Sequence, residues 1–473
     1  MMHQFPRHTQ YKDSGLAWVG EIPAHWQTRR NRFLFREVDR RSTHGKETHL
    51  SMSQVHGLVP SNDLGRKSLQ SENYAGGKLV EEHDLVLNRL KAHLGVFARA
   101  KQAGVVSPDY TVLRPKGGVS VRYCESLFKT PMYVGEFRRR TKGIVEGFWR
   151  LYTDDFYNVS ALLPPPEEQD QIVAYLRAQD AHIARFIKAK RDLIALLTEQ
   201  KLRIIDHAVT RGLDAAVKLK PSGIEWLGEV PEHWEVAFLK HIADVRFSGV
   251  DKHSHDDETP VRLCNYTDVY KNDCITGDMD LMRATATAAE IARLTLKAGD
   301  VILTKDSETP DDIGVPAWVP EDLPSVVCAY HLGLLRPEPG RVLGEFLFRA
   351  IGSARIAQQF HVLATGVTRF ALGKHDVKNA VIPLPPTVVE QQSICRWIAD
   401  EIQPLDEAIA RADDEIKLIR EYRDRLIADV VTGQVDVRGW QPGPDDVASD
   451  EELTALGDDE ADTADEEEAD GDE

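Results

Sequence analysis

The longest apolar pattern in the chain is helical. After Pro164, Pro165 and Pro166, no proline or glycine occurs until Gly212, and apolar residues recur at Val173, Leu176, Ile183, Ile187, Ile194, Leu197, Ile204 and Ala208. The spacings are threes and fours or their sums, interrupted by Asp180, Lys190 and Lys201. A second run carries Ile394, Ile398, Ile402, Leu405, Ile409, Ala412, Ile416, Ile419, Leu426 and Val430, and only Arg423 breaks it. Sustained near-heptad spacing predicts coiled-coil helices. Gly212 and Gly433 fall where C-caps belong, and Pro404 predicts a kink or an earlier break. Each helix would span about 40 residues, or about 60 Å at 1.5 Å per residue. A stripe of this kind must be buried somewhere. A coiled coil between two molecules would do it, but the chain offers two matched helices, so we expect an intramolecular antiparallel pair.

Shorter apolar runs read as buried strands. Asp84-Leu-Val-Leu-Asn-Arg89 and Asp300-Val-Ile-Leu-Thr-Lys305 each follow a turn-forming Asp, and Leu113-Arg114-Pro115 and Leu335-Arg336-Pro337 each close another run. These pairs belong to a larger duplication. Ser14–Gln27 (SGLAWVGEIPAHWQ) matches Ser222–Glu235 (SGIEWLGEVPEHWE) at eight of fourteen positions, with three further aliphatic exchanges, at an offset of 208. In the same order follow Gly147-Phe-Trp-Arg150 with Gly366-Val-Thr-Arg369, Pro165-Pro166 and Glu168-Gln169 with Pro385-Pro386 and Glu390-Gln391, and Ala208-Val-Thr210 and Gly212 with Val430-Val-Thr432 and Gly433. Six ordered pairs exceed what chance turns and strands would give.

The expected architecture is α+β: two duplicated mixed α/β domains joined by two long helices that form an intramolecular antiparallel coiled coil. The boundaries read as an anchor segment at 1–26, a domain at 27–163, a helix at 164–212, a linker and repeated anchor at 213–234, a second domain at 235–386, a second helix at 387–440, and a disordered tail at 441–473. The anchor Trp18, Trp26, Trp226 and Trp234 read as packing residues.

Charge changes the picture only once it is mapped. The 473 residues carry a net −18, which taken whole argues against a phosphate-bearing partner. However, 441–473 hold 16 acids and no Lys or Arg, which leaves positions 1–440 at −2. Residues 26–160 stand at +9 and residues 234–380 at −5. The acid-rich, aromatic-free tail has the composition of a disordered segment. It would serve solubility, or compete with phosphates for basic surface. Five scattered Cys without a CxxC pair indicate free thiols in a reducing compartment. With no apolar leader and no membrane-spanning run, a cytoplasmic protein is expected.

Catalytic signatures are missing where they would be needed. Ser107-Pro108-Asp109-Tyr110 falls short of a methyltransferase adenine-binding segment and reads as structural. No P-loop is present. His253-Ser-His255-Asp256-Asp257 reads as a polar loop and not as a metal site, so no metal ligand and no catalytic residue are assigned.

The duplicated G-E-[IV]-P-x-H-W anchor (Gly20–Trp26 and Gly228–Trp234), the proline segments running into Glu168-Gln169 and Glu390-Gln391, and the helix ends at Val209-Thr210 and Val431-Thr432 resemble the specificity subunits of type I restriction–modification systems. The resemblance covers about residues 11–440. It departs in a shorter first proline segment, in Arg211 between Thr210 and Gly212, and in the acidic tail. It implies a non-catalytic subunit with two target-recognition domains, each reading half of a bipartite, asymmetric site in double-stranded DNA, and helices that fix the spacer. It implies two methyltransferase subunits docked on the helices, and restriction/translocase subunits beyond them. No cofactor is expected in this chain, since S-adenosylmethionine, ATP and Mg would sit on those partners. The alternative is a coiled-coil DNA-binding scaffold of another defence complex without its own sequence readout.

Base readout needs side chains that reach the grooves, and affinity needs cations on phosphates. The candidates in the first domain are Arg138, Arg139, Arg140, Lys142 and Arg150, the last beside Phe148, Trp149 and Tyr152, with Arg89 and Lys91 as weaker ones. In the second domain they are Lys305, Arg369 and Lys374, with Lys378 nearby. The +9 domain is expected to carry more of the salt-sensitive affinity.

Overall fold

A computed structural model describes residues 6–53, 57–64, 74–143, 149–309, 312–367 and 369–457. The chain divides into two compact units, Met1–Asp192 with Ala412–Glu473, and Leu193–Arg411. Both boundaries fall inside long helices, Pro166–Arg211 and Val388–Val431.

In the first unit, an antiparallel sheet runs in the order Phe35–Glu37, Tyr110–Pro115, Leu85–Asn88, Phe97–Arg99. The ends of the domain are zipped together, because Gln27–Arg30 pairs antiparallel with Ser160–Leu163 just before the long helix starts. Its core gathers Trp26, Phe35, Phe97, Phe128, Phe137 and Phe156 around Leu85 and Leu87. In the second unit, the sheet order is Ala243–Phe247, Leu332–Pro337, Val301–Thr304, Pro316–Trp318, and Glu235–Phe238 closes onto Val381–Leu384. A further four-stranded sheet, Met282–Ala286, Thr259–Cys264, Leu323–Cys328 and Thr295–Leu296, has its own apolar core.

The runs behind Asp84 and Asp300 are the central strands Leu85–Asn88 and Val301–Thr304, and the two Asp do more than turn the chain. Arg114 donates to both oxygens of Asp84 at 2.9 and 3.0 Å, and Arg336 to both oxygens of Asp300 at 2.8 and 2.7 Å. Both carboxylates are about 1% exposed, and both guanidinium pKa values are raised, first of all by these hydrogen bonds. Sequence marked all four residues as strand ends; folded, they form one bidentate buried pair per unit.

Each unit holds a segment of both long helices, laid antiparallel. In the first unit, Asp180 meets Arg423 at 2.6 Å, and Lys190 pairs with Glu415. In the second, Lys201 meets Asp406 at 2.8 Å. Three of the four residues that interrupt the apolar stripes are thus the ion-pairing positions Asp180, Lys190 and Lys201, and the fourth, Arg423, is the partner of Asp180. Pro404 does not break the second helix, which continues through it, with Ile402 buried before it and Ala412 after it. The helix ends at Val431 and not at 440. Gly433 takes φ +76°, a conformation in which a side chain is strained, and the chain then returns to the N-terminal segment, Asp436 N–H donating to the Pro6 carbonyl.

The tail also differs from expectation over its first part. Residues 441–457 lie along the first long helix. Arg185 donates to the Asp445 carbonyl at 2.6 Å and also to the Val447 carbonyl, His182 Nε2 stands 2.7 Å from Asp446, and Arg191 and Arg420 donate to the Gly457 carbonyl. Basic residues on the helix capture carbonyls and acids that composition alone reads as solvated. Residues 458–473 lie outside the described part. No helix among the described residues is long and apolar enough to cross a membrane.

Removing one partner of a buried pair strands the other charge. Asp84→Ala and Asp300→Ala should each lower the unfolding free energy of their own unit by about 3–5 kcal/mol. Urea unfolding checks this, and a loss below about 1 kcal/mol would show that the pair carries no weight.

Candidate functional site

The repeated anchor is a clamp. Glu168, in the first turn of the first long helix, accepts from the Trp26 indole at 3.0 Å, while His25 Nε2 lies 2.7 Å from its other oxygen. Glu390, in the first turn of the second helix, accepts from Trp234 at 2.8 Å, with His233 Nε2 at 3.0 Å. The neighbouring Gln is equally fixed. Gln169 accepts from Ser120 N–H and donates to the Pro164 carbonyl, and Gln391 accepts from Leu343 N–H and donates to the Pro385 carbonyl. The far helix end completes each clamp. A Cβ on Gly433 would stand 2.5 Å from Pro23 and 3.1 Å from Trp26, and one on Gly212 would stand 3.3 Å from Trp234. Trp26 and Trp234 are buried, and Trp18 packs edge-on to Tyr133 at 4.9 Å, so these are packing residues.

The clamp orients a basic edge in each unit. In the first, Leu151 N–H donates to the Arg89 carbonyl at 3.0 Å, and Lys142 and Arg150 exchange backbone hydrogen bonds at 3.0 and 2.9 Å. Arg89, Lys142 and Arg150 therefore lie on adjacent stretches of backbone. Lys91 precedes the turn Ala92–Leu94, whose His93 meets the Trp149 ring at 5.7 Å, and Arg138 stands over the same ring at 5.8 Å. Arg89 donates to the Asp109 carbonyl at 2.6 Å, and Lys142 reaches Asp155 at 2.8 Å. Gly147 and Phe148 of the repeated motif lie outside the described residues.

Arg139 and Arg140 direct their charge to an internal acid, although the Arg139 side chain stays 67% exposed. Both hydrogen-bond the buried Glu136 carboxylate, at 2.9 and 2.6 Å. Burial opposes ionisation of Glu136, but these bonds outweigh it and hold its pKa below the ordinary value. The structure thus splits the basic run into an outward Arg138 and a pair that neutralises an internal acid.

In the second unit, Leu372 N–H donates to the Lys305 carbonyl at 2.8 Å, the counterpart of the Leu151–Arg89 bond. Asp306–Ser307 pairs with Phe370–Ala371, which pairs with Thr365–Gly366. The Lys305 ammonium is largely covered, 2.9 Å from Asp306 and 4.5 Å from the centre of the Tyr330 ring. Asp306 is desolvated, but hydrogen bonds from Lys305 and His331 hold its pKa down. Arg369 is exposed and lies 3.4 Å from His331 Nδ1. Beside it, Val367 is 93% exposed, and Thr368 lies outside the described residues. Lys374 opens the helix Lys374–Asn379 on the surface, and Lys378 shares a cleft with Lys240, His241 and Arg336. The sequence pairs Arg89 with Lys305 and Arg150 with Arg369, and in each unit the two members lie on adjacent stretches of backbone, Arg89 and Lys305 each just after a central strand.

No protein-family model matches the chain. It is 24% identical over 371 residues to the Type I restriction enzyme MjaVIII specificity subunit of Methanocaldococcus jannaschii, a match spanning 76% of this chain and 81% of that protein. The chain is thus similar in sequence to a type I restriction specificity subunit. A solved chain from a study of complex assembly and conformational transition of the type I R-M system shares the fold at a TM-score of 0.58 and 14% identity, covering 88% of this chain and 99% of that one.

Three features escaped sequence reasoning. Val367 and the half-exposed Tyr330 flank the Arg369 edge, yet a lone Val or Tyr in a loop gives no local signal. The third feature is a cluster of His8, His25 and Glu168, whose ligand atoms lie within 4.8 Å of one another. By contrast, His253 and His255 are exposed, and their backbone N–H groups bond Asp251 and Thr285.

The Glu136 cluster and the Trp149 edge should separate in stability measurements. Arg140→Ala should cost about 1–3 kcal/mol by leaving the buried carboxylate underpaired, while Arg138→Ala should stay within about 0.5 kcal/mol. Paired denaturant titrations decide it.

Proposed function

We propose that this chain is the DNA sequence-specificity subunit of a type I restriction–modification complex, with a recognition domain in each unit reading one half of a bipartite, asymmetric target. The observation that carries the reading is the recurrence, in both units, of a basic residue just after a central strand (Arg89, Lys305) whose carbonyl accepts from a neighbouring segment that carries an exposed Arg (Arg150, Arg369). Exposed guanidinium groups beside Trp149 and Val367 suit phosphate and base-edge contact respectively.

The long helices serve as an antiparallel coiled-coil spacer. The ion pairs Asp180–Arg423, Lys190–Glu415 and Lys201–Asp406 support that register. Methyltransferase subunits dock on the helices, where Leu193, Leu196, Leu202 and Leu418 leave apolar surface open. S-adenosylmethionine, ATP and Mg act on those partners and on the restriction/translocase subunits, and this chain contributes recognition without catalysis.

Deleting the chain in its host should abolish one bipartite N6-methyladenine motif from the methylome; an unchanged methylome in a host that methylates such motifs would refute the assignment. In full-length protein, Arg138→Ala, Lys142→Ala or Arg150→Ala should each reduce the slope of log affinity against log salt by about 1. Lys305→Ala, whose ammonium is already held by Asp306, should change it less. The docked tail covers His182, Arg185 and Arg191, so removal of 441–473 should tighten nonspecific DNA binding at low salt, and unaltered binding would assign the tail to solubility alone.

A further inference from the structure

The two clamps differ in one respect. In the second unit, Glu390 holds His233 and Trp234. In the first, Glu168 holds His25 and Trp26, and a further histidine, His8, enters from the N-terminal segment. His8 is 6% exposed, its Nε2 stands 3.9 Å from Glu168 Oε1, and its ring centre is 5.4 Å from that of His25. Its Nδ1 is buried and has no hydrogen-bond partner, an arrangement that costs free energy unless another interaction offsets it. Among the described residues this is the one set of three such side chains whose ligand atoms converge.

We propose that His8, His25 and Glu168 bind one zinc-class divalent cation. Two imidazoles and a carboxylate, with water in the fourth position, form a tetrahedral donor set that suits Zn²⁺; Mg²⁺ and Ca²⁺ demand more oxygens. Bonds of about 2.0–2.2 Å put neighbouring ligand atoms about 3.3 Å apart. Oε2 is then the coordinating oxygen: its 2.7 Å contact with His25 opens as the metal replaces the shared proton, and His8 Nε2, now 3.9 Å from Oε1, turns toward the ion. One Glu168 oxygen coordinates, and the other keeps the Trp26 indole.

The surroundings prepare His8 for this role. Asp436 Oδ2 lies 3.6 Å from Nδ1, on the side of the ring away from the site. Arg438 donates to both oxygens of that carboxyl, at 2.9 and 2.7 Å. At 3.6 Å Nδ1 and Oδ2 are not hydrogen-bonded; a slight turn of the ring would bring Nδ1–H onto this carboxylate, the kind of partner that directs a histidine toward a metal. His25 is partly exposed and opens the site to solvent. The ion would fasten the N-terminal segment and the anchor onto the first turn of the long helix.

The test uses full-length protein stripped with EDTA and titrated with Zn²⁺, and with Co²⁺ as an absorbing probe. One equivalent per chain, visible tetrahedral Co²⁺ bands and a rise in melting temperature are expected. His8→Ala, with its fold checked by circular dichroism, should lose all three. Asp436→Asn should weaken binding roughly 10- to 100-fold, and His233→Ala in the other clamp should change nothing. Absence of stoichiometric uptake by the wild type, uptake undiminished in His8→Ala, or full-strength binding in Asp436→Asn would each overturn the proposal.

Discussion

A carboxylate in the first turn of each long helix accepts from an indole buried in the preceding anchor, and much of the fold is arranged around that bond. The indole N–H has no water to turn to, so leaving it unmade would cost the full desolvation of a buried donor. Glu168 and Glu390 remove that cost while facing the N-terminal end of a helix, where negative charge is favoured. The neighbouring Gln then stitches the helix start to the domain through Ser120 or Leu343. Gly433 and Gly212 let the end of the opposite helix come down onto the same anchor. One clamp thereby joins a domain, the start of one helix and the end of the other.

The clamp sets the frame for the basic edges. In each domain the terminal strands are zipped beside the helix start, the Asp–Arg pair locks the central strand to its neighbour, and the far ends of those strands carry Arg89 or Lys305. The edges themselves are not copies. The first pairs cations with Trp149 and leaves Arg138 and Arg150 outward; the second engages its lysine with Asp306 and projects Val367 beside Arg369. A duplicated frame thus holds two dissimilar edges, as loops on a rigid scaffold can differ while the scaffold stays the same.

The sequence is informative where a signal is local or duplicated. The anchors, both central strands and the helix caps are visible because the same residue types recur at a nearly constant offset. The ion pairs at Asp180, Lys190 and Lys201 were visible only as flaws in a stripe, since a stripe records burial and not the partner across it. The pairing of Arg139 and Arg140 with Glu136 was not read, although their three- and four-residue spacing from it is the spacing at which helix side chains meet. His8 gave no signal, because it stands outside the duplication and meets Glu168 only through the fold. The first part of the tail was misjudged because composition cannot see Arg185 and Arg191 waiting on a helix.

The division of the chain has a consequence for its synthesis. The unit built on the second domain comprises one continuous stretch, Leu193–Arg411, and has all its parts once that stretch has emerged. The unit built on the first domain also needs residues from Ala412 onward, including Val430, Val431 and Val437 in its core. The domain made first is therefore finished last. Until then, Trp26 and its apolar neighbours wait without their lid, a period in which exposed apolar surface invites aggregation and chaperone capture.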